Sequence, residues 1–165
     1  PEIGDALDDE DGALVAGCGT AGTLMGTGRY LREQVPDLHV TAVEPSGSLY
    51  ATTKGRDVAE AEYKTEGIGT HDPSTNELFD PEFVDDVTQI PDEDTHAEMQ
   101  RLAREEGQLV ASSSAANSLA ALDVAERAAA GDIDLAHDCV VTVFPDSSER
   151  YLSKGVYGDY EEWEG

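Results

Sequence analysis

Positive charge is what this 165-residue chain has least of: ten Lys and Arg stand against 36 Asp and Glu, for a net charge of −26. Without a basic patch nothing can neutralise a phosphate backbone, so nucleic acid is excluded as a partner. Cysteine is also scarce. Cys18 and Cys139 lie far apart, form no CxxC and have no His at ligand spacing. A disulfide framework or a metal site is therefore not expected, and both read as reduced thiols. His39, His71, His96 and His137 are scattered and read as ordinary surface or loop residues. No apolar run approaches the ~20 residues that span a bilayer, so no membrane partner is expected. No charged-then-apolar leader opens the chain, and the expected location is the cytoplasm. The first residues, Pro1-Glu2-Ile3, include no methionine, which fits a processed product or a fragment.

So acidic a balance can mean disorder. Here the acids are spread along the whole chain, and ordered apolar runs such as Val140-Val141-Thr142-Val143-Phe144 recur among them. The expectation is instead a folded protein adapted to a very salty cytoplasm. Near molar salt the screening length falls to about 3 Å, and surface acids stop repelling one another at range. Only Lys54, Lys64 and Lys154 are lysines, against seven arginines, which agrees with that reading. The length fits one domain, residues 1–165, burying roughly 70% of the unfolded chain's surface.

Along the chain, residues 1–11 read as a short helix followed by an acidic turn. The apolar run Ala13-Leu14-Val15-Ala16 reads as a buried strand ending at Gly17. Residues 21–34 carry Leu24, Met25, Tyr30 and Leu31 on one helical face, and Pro36 follows. Residues 38–43 form a second strand, ended by Glu44-Pro45. Strand, helix and strand make a βαβ unit with parallel strands. Residues 46–63 read as loop with a short helix, 66–69 as a glycine turn and 70–80 as polar loop. A strand is expected at 84–90, then a helix capped by Asp92 or Asp94 that runs to Glu106, with Gly107 as C-cap. Leu109-Val110 reads as a brief strand. Ser113 or Ser114 opens a helix to Ala130, residues 139–144 form the last strand, and residues 145–148 turn into a short helix. The acidic tail 159–165 is expected to fray.

Gly17-Cys18-Gly19-Thr20-Ala21-Gly22 fits G-x-G-x-x-G between a strand and a helix. Small residues let backbone N–H groups approach an anion, and the helix N-terminus adds a favourable dipole. Glu44 ends the next strand, where a nicotinamide-binding unit places its ribose-binding acid, so a dinucleotide is one reading of this turn. A tight turn without a ligand is another. Two further small-residue turns follow later strands: Ala111-Ser112-Ser113-Ser114-Ala115-Ala116 and Pro145-Asp146-Ser147-Ser148. In a parallel sheet such turns gather at one edge, which favours a compact phosphorylated ligand held at both ends.

These segments resemble, in order and spacing, the C-terminal half of the cysteine synthase and cystathionine β-synthase group, pyridoxal-phosphate (PLP) enzymes of fold type II. Pro1-Glu2-Ile3 resembles the family's TGPEI, and Gly17 to Thr23 its GxGTGGT phosphate loop. Val43-Glu44-Pro45 resembles VEP, and Glu66-Gly67-Ile68-Gly69 resembles (E/Q)GIG. Residues 111–116 resemble G-x-SSGAA, and residues 145–152 resemble PDSGERYL. The resemblance implies an α/β fold, three layers αβα around a mostly parallel sheet, the large-domain portion of such an enzyme. It implies that Gly19, Thr20, Ala21, Gly22 and Thr23 hold the PLP phosphate. Ser113 would bond the pyridine nitrogen, and Gly67 would line the amino-acid substrate side. A neutral hydroxyl at the ring nitrogen suits elimination and replacement at Cβ. Glu44 becomes a structural strand-end acid.

Ala21, Ala111, Ala115 and Ser148 stand where the family usually has glycine, which costs stability only where φ is positive. The loop after Gly69 is longer and more polar than the family's. The family's Schiff-base lysine lies upstream of the matched segment, and Lys54, Lys64 and Lys154 are not in a matching context. The chain thus carries no expected catalytic residue and no metal ligand, and by itself should be inactive. The implied reaction makes cysteine from an activated serine of O-acetylserine type and sulfide, in a homodimeric enzyme acting on small amino acids. Cystathionine formation from serine and homocysteine is the near alternative. An NAD-binding Rossmann domain and a catalytically inactive half-domain are the others.

Overall fold

A computed structural model describes residues 1–7 and 12–150. The tail, Lys154 and the end of the 145–152 motif lie outside the described residues. Four strands form one sheet in the order β3-β2-β1-β4: β1 (Ala13–Gly17), β2 (His39–Pro45), β3 (Asp86–Ile90) and β4 (Val140–Thr142). All pairings are parallel. The helices are α1 (Glu2–Leu7), α2 (Gly22–Gln34), α3 (Asp92–Arg101) and α4 (Ser112–Ala130).

The sheet is covered on both faces, which is why β1 is apolar throughout rather than alternating. Its odd and even residues serve different layers. Leu14 and Ala16 pack with Leu24, Met25 and Leu31 of α2. Ala13 and Val15 pack with Ala116, Ala120 and Val124 of α4. The buried positions of α2 are Leu24, Met25, Gly28 and Leu31, an interval of three to four that places them on one face. Alanines on α4 let it lie close to the strands. Ile3 of α1 joins the α2 layer, and Met99 of α3 packs with Ala115 behind α4. The expected three-layer αβα architecture is present, with the sheet wholly parallel among the described residues.

Several boundaries differ from the sequence reading. Pro91, not Asp92 or Asp94, is the N-cap of α3, and no side chain caps it. The Asp92 carboxylate instead accepts from the Thr65 amide at 2.9 Å, the Thr65 hydroxyl at 2.7 Å and the Lys64 amide at 2.5 Å. Burial opposes its charge, but these bonds outweigh burial and hold the carboxyl below its ordinary range. α3 ends at Arg101 and widens into a π-turn, Leu102–Glu106, with Gly107 at φ 67° closing it. α4 opens at Ser112 with Ala111 as N-cap. Leu109-Val110 makes no ladder: Val110 forms a single antiparallel bridge with Ser147. β4 is three residues long rather than six.

Glu44 is fully buried yet makes four hydrogen bonds. It accepts from Ser48 Oγ at 2.5 Å, Tyr50 N at 2.7 Å, Ala51 N at 2.8 Å and Gln89 Nε2 at 3.1 Å. The strand-end acid thereby pins the 3-10 turn Tyr50–Lys54. Removing it would strand two buried backbone donors, each costing about 1–3 kcal/mol. Glu44→Ala should therefore lose roughly 2–5 kcal/mol in urea unfolding. A loss below about 0.5 kcal/mol, the level of an ordinary surface change, would contradict this role.

Candidate functional site

The winding reverses at β1. β2 and β3 extend from one of its edges and β4 lies on the other. Such a reversal opens a crevice at the carboxyl ends of the strands, where ligands of open α/β sheets bind. A cleft of about 240 Å³ occupies that position. Its walls are Ala16 and Gly17 at the end of β1, Thr23 in the first turn of α2, and Val143, Pro145 and Asp146 beyond β4. Glu66, Gly67 and Ile68 form the lip, and Ser113 and Asn117 line it from α4.

The phosphate-type loop is held from behind. The Gly19 carbonyl accepts from the Tyr50 hydroxyl at 2.6 Å and from Asn76 Nδ2 at 3.1 Å. In a trans peptide the C=O and the next N–H point opposite ways, so this aims the Thr20 amide away from Tyr50. Ala21 at the N-cap of α2 has φ 63° and no side chain caps the helix. The first-turn amides therefore have no intrahelical partner. Thr20, Gly22 and Thr23 are exposed, so these donors stand where an anion could reach them.

The 64–69 turn is clamped against this loop. Asp92 holds Thr65, Ser112 Oγ accepts from the Glu66 amide at 3.2 Å, and the Gly69 amide donates to Cys18 O at 2.8 Å. Ile68 packs over Gly17, where a Cβ would lie 2.4 Å from its methyl. A Cβ on Gly19 would lie 2.5 Å from the Gly67 carbonyl oxygen. Glycine at 17 and 19 is thus required by close approach. Of the four positions read as glycine replacements, only Ala21 has positive φ; Ala111 is extended and Ala115 is helical.

The three serines opening α4 divide their hydroxyls. Ser112 accepts from Glu66, and Ser114 donates to the Asp146 carbonyl at 3.2 Å. Ser113 faces the cleft, and no protein partner engages its hydroxyl among the described residues.

Of the residues read from sequence, Thr23, Gly67 and Ser113 line one cleft. Gly19, Thr20, Ala21 and Gly22 complete the loop beside it without lining its wall. Sequence reasoning missed Asn117, Tyr50 and Asn76. Asn117 lay in plain sight one turn after Ser113, whereas Asn76 sits 57 residues from the glycine it supports and gave no local signal. Cys18, in the loop itself, is buried and its thiol is pushed up to about 12 by desolvation, so it offers no nucleophile.

Residues 1–146 match the family described as pyridoxal-phosphate dependent enzyme. The chain belongs to that family. Family members similar to it include an O-acetylserine dependent cystathionine beta-synthase of Bacillus subtilis (strain 168), 39% identical over 95% of this chain and 47% of that protein. A cysteine synthase of Helicobacter pylori (strain ATCC 700392 / 26695) is 38% identical over the same shares, 95% and 47%. Among solved family structures, the O-acetylserine dependent cystathionine beta-synthase from Helicobacter pylori superposes with a TM-score of 0.79 at 38% identity, covering 95% of this chain and 47% of that one. The chain thus spans about half the length of the curated relatives it matches. The donors and acceptors at the cleft fit the family's cofactor: open helix-end amides for a phosphate and an unengaged hydroxyl for a ring nitrogen.

Two glycine variants separate strain from contact. Gly67 has φ 82° with open space where a Cβ would go, so Gly67→Ala should cost about 1 kcal/mol from backbone strain alone. Gly19→Ala must push the 64–69 turn away and should cost more, roughly 2–3 kcal/mol. Urea midpoints measure both, and equal small losses would contradict the clamped arrangement.

Proposed function

We propose that this chain is the phosphate- and ring-binding portion of a PLP-dependent enzyme that makes cysteine from an activated serine of O-acetylserine type and sulfide. The observation that carries the reading is the placement of the Ser113 hydroxyl in the switch-point cleft, beside the uncapped N-terminus of α2. PLP, when bound, supplies an electron sink for elimination and replacement at Cβ. The chain's own residues bind and orient. Amides and hydroxyls of Gly19, Thr20, Ala21, Gly22 and Thr23 take the phosphate, Ser113 takes the ring nitrogen, and Gly67 borders the substrate. A second reading, formation of cystathionine with homocysteine as nucleophile, draws support from the relatives whose names state that activity.

The dinucleotide alternative loses its ribose ligand, since the Glu44 carboxylate is buried and fully engaged. The cleft also sits below the ~300–1,000 Å³ of typical ligand pockets, which suits a compact ligand. The lysine that links PLP is assigned to a part of the natural protein outside this segment. Lys54 Nζ is spent on the carbonyls of Pro81 at 3.0 Å and Val84 at 2.5 Å, and neither Lys54 nor Lys64 lines the cleft. The working protein is read as a homodimer in a salty cytoplasm. No helix among the described residues is long and apolar enough to cross a membrane.

In the natural gene product, PLP should bind and borohydride should fix it to a lysine outside residues 1–165. A stoichiometric adduct on Lys54, Lys64 or Lys154, or binding of NAD without PLP, would overturn the reading. Ser113→Ala should weaken PLP about tenfold, the value of one hydrogen bond to a buried ring atom. The charge makes a separate prediction. At net −26, going from 0.1 M to 2 M KCl should raise the melting temperature. A stabilisation of about 2 kcal/mol corresponds to roughly 4–8 °C; a flat or falling profile would remove the halophilic reading.

A further inference from the structure

Tyr50 is fully buried, and its position is set at both ends. Its amide donates to the Glu44 carboxylate at 2.7 Å, and its ring packs on Phe79 with centroids 4.5 Å apart. The hydroxyl so placed donates to the Gly19 carbonyl at 2.6 Å. Asn76 joins it there. Its Oδ1 accepts from the Leu78 amide at 3.2 Å, which settles which end of the side chain is oxygen. Its Nδ2 donates to the Tyr50 hydroxyl at 2.5 Å and to the same Gly19 carbonyl at 3.1 Å. Both lone pairs of that carbonyl are thus filled. Burial pushes the Tyr50 hydroxyl up to about 12, so it keeps its hydrogen across the neutral range. One donor would satisfy the carbonyl; two also fix its direction.

Direction matters at this peptide. Gly19 has no Cβ, so the unit between Gly19 and Thr20 can rotate at little cost, exchanging the sides on which its C=O and N–H stand. The amides of residues 19–24 donate to no protein acceptor among the described residues. An inverted Gly19–Thr20 peptide would therefore set an acceptor oxygen among a row of donors, and an anion there would be repelled. We propose that Tyr50 and Asn76 are positioning residues for the phosphate: by holding the Gly19 carbonyl on their side, they fix the Thr20 amide as a donor to it. Each bond to the carbonyl also polarises the peptide and makes that amide a stronger donor. The inference rests on the reading that PLP places its phosphate at this loop. Neither side chain lines the cleft, so both act through the backbone of Gly19. Asn76 brings the polar 70–80 loop into this role, 57 residues beyond the glycine it holds.

The test compares the natural gene product with its Tyr50→Phe and Asn76→Ala variants. Tyr50→Phe keeps the ring on Phe79 and removes only the hydroxyl, and Asn76→Ala alters a half-buried loop residue. Two probes are titrated into each protein: PLP, and pyridoxal, which has the same ring and aldehyde but no phosphate. Each variant should bind PLP about tenfold more weakly, the value of one hydrogen bond to a charged group, and pyridoxal as the wild type does. The ³¹P resonance of bound PLP should move toward its free position in both. The double variant should lose little more than the stronger single change, because the same peptide is released only once. Equal losses for PLP and pyridoxal would overturn the proposal, since the two residues would then only support the fold. Unchanged PLP affinity and an unchanged ³¹P resonance would overturn it as well. A wild type that binds PLP no more tightly than pyridoxal would remove the phosphate reading of the loop, and this inference with it, a result distinct from both.

Discussion

Everything at the candidate site depends on β1 having a parallel neighbour on each edge while the chain reaches those neighbours in opposite directions. A crevice opens at the carboxyl ends only because the segments leaving β1 and β4 diverge there. The strand pays for its central position in composition. Both faces are covered by helices, so each of its residues before Gly17 must be apolar and small enough to pack. Gly17 ends the run where the backbone has to turn under Ile68 into the phosphate-type loop.

The polar groups around the crevice divide between those that hold the frame and those that face the cleft. Glu44, Asp92, Ser112 and Ser114 are consumed by backbone donors or acceptors of neighbouring turns. Because those turns are pinned, the few groups that remain stand in a defined geometry. Among the described residues these include the first-turn amides of α2, the Ser113 hydroxyl and Asn117 Oδ1. Preorganisation of this kind lets a small cleft recognise a ligand without first ordering its own walls. Under the proposed function, so acidic a chain would hold a phosphate through backbone amides and a helix end, with no need of lysine or arginine.

Much of this frame was legible in the residues. The strand and helix of 13–34, the second strand and the alanine-rich helix followed from apolar periods of two kinds, punctuated by Gly17, Pro36 and Gly131. The three small-residue turns, and Ser113 within one of them, could be read as a set because a parallel sheet collects such turns on one edge. The misreadings share a cause. Asp92 looks like a cap for the helix it begins, yet its carboxylate bonds Lys64 and Thr65, 28 and 27 residues upstream. The 139–144 run is apolar enough for six strand residues, but β1 pairs with only three of them.

The sequence by itself determined the layered α/β class, the phosphate-type loop and the acidic surface, because each rests on local composition and period. Only the tertiary structure decided which of three adjacent serines keeps its hydroxyl for the cleft, that Ala21 takes a left-handed conformation, and that Asn117 joins the site. Those outcomes turn on which distant backbone group arrives within hydrogen-bonding reach, and no stretch of sequence carries that distance.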